Sequence, residues 1–167
     1  IGRSIGDEKM AVIVQEIAGQ ELNKRYYPTV SGVARSYNFY PAGKARREDG
    51  VVNLALGLGK TIVDGGLCWT YSPAYPAMSP PFNSIGEMLD NTQRNFWAVN
   101  MAKLPAYDPA RETEYLIQPG LDEADYDNSL THICSTYVPA SDRVSPGTGR
   151  PGPRLLNFAP ILQLKTL

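Results

Sequence analysis

Ser72-Pro-Ala-Tyr-Pro-Ala-Met-Ser-Pro-Pro81 places four prolines in ten positions. Proline fixes φ and removes a backbone donor, so neither a helix nor a central strand crosses this stretch, and the chain has to run over a surface here. The same constraint recurs along the sequence. With 14 prolines and 15 glycines in 167 residues, it divides into short segments and predicts a loop-rich fold. A hydrophobic content of 43% suffices for one ordinary core, so a single domain over residues 1–167 is expected. Its 16 basic and 17 acidic residues give a formal charge of -1, which offers no field to a polyanion, and nucleic acid is not an expected partner. No run approaches the roughly 18 apolar residues of a membrane helix, and Ile1–Met10 lacks the apolar centre of a signal peptide. A soluble, cytoplasmic protein is expected, with no membrane partner. Cys68 and Cys134 have no metal-ligand spacing and read as buried free thiols of a reducing cytoplasm. The start at Ile1 without Met, and the stop just after the apolar Leu155–Leu164, suggest a piece of a larger multidomain polypeptide.

Between the breakers, periodicity predicts an α+β fold that is mainly antiparallel sheet with few helices. Met10-Ala-Val-Ile-Val-Gln-Glu-Ile17 is continuously apolar and β-branched, the pattern of a strand buried on both faces. Gly19–Tyr27 is expected as a loop, Thr29–Tyr37 as a second strand, Pro41–Gly50 as a charged hairpin-type loop and Gly50–Leu56 as a third strand. Their connections are too short for crossover helices, so the three form an antiparallel meander. Gly57-Leu-Gly59 ends that strand. Lys60–Asp64 then makes one or two helical turns stopped by Gly65-Gly66, and Leu67–Tyr71 a fourth short strand. Ile85, Leu89, Phe96, Val99 and Met101 approximate a helical stripe, so Ile85–Ala102 is the best helix, capped by Asn83 or Ser84. Glu114–Gln118 and Ser129–Val138 look like strands, and Ser141–Arg154 like a long flexible loop.

Three places invite a chemical reading. Leu54-Ala-Leu-Gly57-Leu-Gly59-Lys60-Thr61 ends in the G-K-T of a P-loop, but the glycine that would let the chain curl around phosphate is Leu54, so the P-loop reading fails. A strand, a glycine turn and a short helix still leave free N–H groups and one Lys, a combination that attracts anions. At Val14-Gln15-Glu16-Ile17, backbone groups at a strand end can pair with an adenine edge while a carboxylate holds a ribose hydroxyl. In Ser31-Gly32-Val33-Ala34-Arg35-Ser36 the glycine allows a backbone to approach a ligand, and Arg35 or Ser36 can contact phosphate. Alternation puts Arg35 and Ser36 on opposite faces, so only one of them faces a site on the sheet. Each of these features alone also has an ordinary structural explanation. His132, within Leu130-Thr-His-Ile-Cys134, reads as a structural imidazole, and Trp69, Tyr71 and Tyr75 as packing of the proline segment onto the sheet.

Taken in order, Met10–Ile17, Ser31-Gly-Val-Ala34, the polar stretch to Pro41, Val52–Gly59 and Ile62-Val-Asp-Gly65 resemble the nucleotide-binding domain of the pyruvate phosphate dikinase and phosphoenolpyruvate synthase family. The likeness covers about Lys9 to Gly66, leaving 67–167 as an unassigned extension. It implies part of an ATP-grasp fold, with ATP and Mg²⁺ as cofactors. ATP would phosphorylate a histidine on a separate domain that carries the phosphoryl group to an acceptor domain. The remaining ATP-grasp half, the phosphohistidine domain and the acceptor domain would be partners within one polypeptide. By this likeness Gln15, Glu16 and Ile17 lie at the adenine-ribose hinge, Ser31, Gly32, Arg35 and Ser36 pass near the phosphates, and Gly57 and Gly59 shape the turn below them. The family's acidic residue after G-L-G is Lys60 here, and its F-T is Arg35-Ser36. Its D-I-E-W-like and L-Q-x-R-P-like metal-binding strands do not occur, and His132 lacks the T-S-H setting of the carrier histidine. The likeness therefore implies an ATP-dependent phosphotransferase as the parent protein, with this piece inactive alone. A non-catalytic nucleotide-binding or interaction module of the same fold is the alternative, favoured by Lys60.

Overall fold

A computed structural model of the chain describes residues 9–102, 106, 108, 110, 111 and 115–163. Among the described residues the fold is α+β, with three antiparallel sheets and four short helices. A four-stranded sheet has the order β1-β2-β6-β7, formed by Gln20–Leu22, Arg25–Tyr27, Ala98–Asn100 and Leu116–Ile117. The second sheet is the meander β3-β4-β5, formed by Ser31–Arg35, Val51–Ala55 and Trp69–Tyr71, with Ser31 opposite Ala55 and Arg35 opposite Val51. In the third, β8 (Ser135–Val138) lies between β9 (Arg143–Pro146) and β10 (Arg154–Leu155). The helices are α1 (Lys60–Val63), α2 (Ile85–Asp90), α3 (Leu121–Tyr126) and α4 (Ala159–Leu162). No helix among them is long and apolar enough to cross a membrane.

Strands β3, β4 and β5 and helix α1 follow the sequence pattern. The expected meander of Met10–Ile17, Thr29–Tyr37 and Gly50–Leu56 lacks its first strand, with β5 on the far side of β4 instead, and other expectations are corrected as well. Met10–Ile17 is not a buried strand: it lies in no sheet and is exposed throughout, with Met10 92% and Val14 91% accessible. Its two apolar faces find neither a neighbouring strand nor a covering layer among the described residues. The expected loop Gly19–Tyr27 is instead the β1–β2 hairpin. Asn23 and Lys24 both take positive φ, 47° and 64°, the mirror-image turn whose twist suits two antiparallel strands.

The expected helix Ile85–Ala102 stops at Asp90. Ser84 caps its start, accepting from Glu87 N at 3.0 Å. Beyond Asn91, Gln93 turns inward, Phe96 N donates to the Pro119 carbonyl, and Ala98–Asn100 pairs in the sheet, so only the first two stripe residues share a helix. The expected loop Ser141–Arg154 is a loop over residues 147–153, but it begins with strand β9 and ends in β10. Pro146 is tolerated because β9 is an edge strand. Ser129–Val138 is a strand only from Ser135, and His132 lies exposed on the preceding turn rather than within a buried strand.

Tyr27, Leu56, Phe96, Leu130, Ile133, Leu156 and Phe158 form the core, with the Tyr27 and Phe96 rings 4.6 Å apart. Trp69 is buried and meets Phe82, just after the proline segment, at 6.3 Å, and Tyr71 packs against the core, whereas Tyr75 is exposed and does not pack the segment onto the sheet as expected. Cys134 is buried and Cys68 half-buried, both as free thiols.

One polar knot ties the β1–β2 hairpin to the end of α3. The Asp127 side chain is fully buried and accepts from Asn23 Nδ2 (2.6 Å), Arg25 Nη2 (2.7 Å), Arg25 Nε (3.2 Å) and Tyr27 Oη (2.8 Å). Burial by itself would raise the Asp127 carboxyl, but the hydrogen bonds from Arg25, Asn23 and Tyr27 outweigh it and hold the group below the usual range. Burial pushes the Tyr27 phenol up, so it remains a donor. Breaking a buried charge pair by removing one partner leaves the other uncompensated. Asp127→Ala is accordingly expected to lower the unfolding free energy by about 3–5 kcal/mol in urea titration. Because the folded carboxyl is depressed, its contribution is complete above the unfolded value of about 3.9 and is lost as the pH falls through the lower folded value. The stability gap between the native chain and Asp127→Asn should therefore narrow from pH 7 towards pH 2.

Candidate functional site

The place where the sequence motifs converge is the corner at which β4 leaves its sheet. The Ser31 hydroxyl donates to the Gly57 carbonyl at 2.8 Å, joining two segments 26 residues apart, and Gly57 N donates to the Pro28 carbonyl at 3.1 Å. Gly57 is required by the fold. Its φ is +81°, and a Cβ there would lie 2.5 Å from the Trp97 carbonyl oxygen. Gly59 is different: its φ is -58°, within the ordinary helical region, and a Cβ would meet nothing within 4 Å. Local structure therefore does not demand glycine at 59, and the space beside it is open.

Lys60 follows directly. Its Nζ lies 2.7 Å from Asp64 Oδ2 and 5.5 Å from the centroid of the Trp97 ring, so the cation already has a counter-charge and an aromatic face. The N–H groups of Thr61, Ile62 and Val63 are likewise committed, to the carbonyls of Leu58 and Gly59. The anion-attracting set expected at this turn is thus smaller than its sequence suggests. Next to it is a cavity of about 430 Å³ whose walls include Thr61, Asp64, Gln93, Asn95, Trp97 and Gln118.

Gln93, which sequence reasoning passed over, holds the corner from behind. Its amide accepts from Leu56 N and donates to Leu56 O, both at 2.9 Å, and also donates to the Asn95 carbonyl, so one side chain replaces a missing strand neighbour. A signal was present, since Thr92 and Gln93 interrupt the apolar stripe from Leu89 to Phe96.

Ser31, Gly57, Gly59 and Lys60 are thus brought together. Gly32 sits one step along β3, where a Cβ would lie 2.9 Å from the Leu54 side chain. Its close approach is to β4. Arg35 and Ser36 are exposed at the other end of β3, about 13 Å from Ser31 along an extended strand. Gln15, Glu16 and Ile17 are not at a strand end. They lie on the exposed segment before β1, where the Ile17 carbonyl accepts from Tyr26 Oη at 2.9 Å. Among the described residues no hydrogen bond or ion pair links Gln15 or Glu16 to the corner. Nor does any group of three His, Cys, Asp or Glu side chains there stand close enough to hold a metal ion.

The chain matches no family model, no curated protein and no solved structure. The two glycines of the corner separate cleanly by experiment. Gly57→Ala is expected to cost about 2 kcal/mol or more, because it forces a side chain into positive φ against a backbone oxygen. Gly59→Ala should be neutral or stabilise by up to about 1 kcal/mol. Urea midpoints of the two variants measure the contrast.

Proposed function

We propose that this chain is one wall of the ATP cleft in an ATP-dependent phosphotransferase resembling phosphoenolpyruvate synthase and pyruvate phosphate dikinase, as part of an ATP-grasp nucleotide-binding unit. The observation that carries the reading is Gly59, a glycine with no conformational or steric need, open to its surroundings beside Lys60 in the corner clamped by Ser31 and Gly57. A backbone without a side chain lets a phosphate come close, and a lysine supplies charge to it. On this reading Lys60 exchanges Asp64 for a phosphate oxygen when ATP arrives. Mg²⁺, when bound with ATP, neutralises phosphate charge. Its protein ligands would come mainly from the other half of the unit, since no group of three His, Cys, Asp or Glu side chains among the described residues is placed to hold a metal ion. Transfer would need those partners together with the phosphohistidine and acceptor domains, so the chain alone binds ATP weakly and turns over none.

The Lys60–Asp64 pair also favours a second reading, a non-catalytic nucleotide-binding or interaction module of the same fold in which the lysine stays internally neutralised. Calorimetric titration with Mg-ATP separates the two. If the corner takes phosphate, Asp64→Asn frees Lys60 and tightens binding by about three- to five-fold, Lys60→Ala weakens it by a similar factor, and Gly59→Ala weakens it without loss of stability. An affinity that none of the three changes removes the corner from the nucleotide site. ATP turnover by the 167-residue chain would overturn the assignment of transfer to missing partners.

A further inference from the structure

A second concavity lies on the third sheet, against the free edge of β9. Its volume is about 390 Å³, and its walls include Ser141, Arg143, Val144, Ser145, Pro146 and Arg150. The loop that brings Arg150 to β9 is held at both ends. At its start Gly147 N donates to the Cys134 carbonyl at 2.8 Å, and the Thr136 hydroxyl donates to the Gly147 carbonyl at 2.7 Å. Further along, Arg154 Nη1 donates to the Arg150 carbonyl at 2.9 Å while its Nε and Nη2 hold Asp125.

The cavity has donors and no negative charge. Arg143 and Arg150 are its only formally charged lining residues, and neither has a carboxylate partner among the described residues. Arg25, Arg94 and Arg154, by contrast, are each paired with an aspartate. Asp142, beside Arg143 in sequence, accepts from Tyr137 Oη at 2.9 Å and forms no part of the wall. A third donor follows from register. Tyr137 stands opposite Val144, yet its N–H goes the other way, to the Pro153 carbonyl at 3.0 Å. The two are therefore a non-hydrogen-bonded pair of the ladder, and Val144 N–H points away from β8, out of the open edge. Ser145 shares a face of β9 with Arg143 and adds a hydroxyl.

This edge does not suit an added peptide strand. Pro146 has no N–H, and Asp142, at φ 50°, ends the extended geometry, so Val144 alone in β9 offers an outward donor. A compact oxyanion needs one such N–H and guanidinium groups to match its charge. We infer that this cavity binds the phosphoryl dianion of a small phosphorylated molecule, held by the Arg143 and Arg150 guanidinium groups and Val144 N–H. Two cations without a counter-charge favour a dianion over a monoanion. The volume lies just above the roughly 300 Å³ at which ligand pockets begin, so it takes a short ester as well as the phosphate itself. The site is on a different sheet from the glycine corner, shares no residue with it and does not depend on the function proposed for it.

Inorganic phosphate and glycerol phosphate, each titrated into the 167-residue chain at constant ionic strength and about pH 8, where phosphate is a dianion, test this by amide NMR. Saturable shifts are expected at Val144, with a dissociation constant of about 1–10 mM for phosphate and an equal or lower one for the ester. Arg143→Gln and Arg150→Gln should each weaken binding about three- to ten-fold and together abolish it, at unchanged Tm because both side chains are exposed. Arg35→Gln, at another exposed arginine, and Lys60→Ala should leave the Val144 titration as it is in the native chain, and any response at Gly59 or Lys60 reports on the corner alone. The inference is overturned if Val144 does not saturate, if acetate shifts it equally, if Arg35→Gln weakens binding as much as the cavity variants do, or if phosphate binds and the ester is excluded. Should either glutamine variant lose stability, Arg150→Lys, which keeps the charge but not the planar fork, still has to weaken phosphate binding for the inference to stand.

Discussion

The architecture turns on a single buried carboxylate. Asp127 stands at the C-terminal end of α3, roughly a hundred residues from the three side chains that bind it, and those three are alternate residues of the β1–β2 hairpin and its turn. A two-stranded ribbon this short has little independent stability. Anchored through Asn23, Arg25 and Tyr27, it presents Tyr27 to Phe96 and gives β6 an edge to pair with, so the four-stranded sheet and the core share one fixing point. The second charged contact, Arg154 donating through Nε and Nη2 to the single oxygen Asp125 Oδ2 at 2.9 and 2.8 Å, repeats the device on the same helix. It draws β10 and the third sheet against α3. A six-residue helix thus fixes two sheets through two carboxylates spaced two residues apart.

The parts of this fold legible in the sequence are those decided locally. Gly57 and Gly65 take the positive φ that their sequence settings ask for, and the Ser84 cap starts α2 where polar residues precede an apolar one. Strands β3, β4 and β5 appear where β-formers are bounded by glycine, proline and charged clusters. What was not legible depends on distant partners. Gln93 breaks a helical stripe because Leu56, 37 residues away, needs a backbone-like neighbour. The turn Asn23-Lys24 carries no glycine to announce a hairpin, and it is held by Asp127 instead. Asp127 itself follows a helix whose sequence, Leu-Asp-Glu-Ala-Asp-Tyr, reads as solvated.

The candidate site divides along the same line. The corner of Ser31, Gly57, Gly59 and Lys60 is assembled by one β pairing and one side-chain hydrogen bond, both short-range once the meander forms. Its chemistry was harder to foresee, because the lysine meets Asp64 one helical turn later and Trp97 from another sheet region. Spacing showed that a cation was present but not that it was already matched. The hinge expected at Gln15, Glu16 and Ile17 required a strand end, and that in turn required a sheet around Met10–Ile17.

That segment has a physical consequence of its own. An exposed run of Met, Ala, Val, Ile and Val with no proline, which pairs in no sheet, can template pairing between molecules. Lys9 and Glu16 flank it as charged brakes, one at each side, and neither interrupts it. Crowding of identical chains, more than heat, should govern how long this protein remains dispersed.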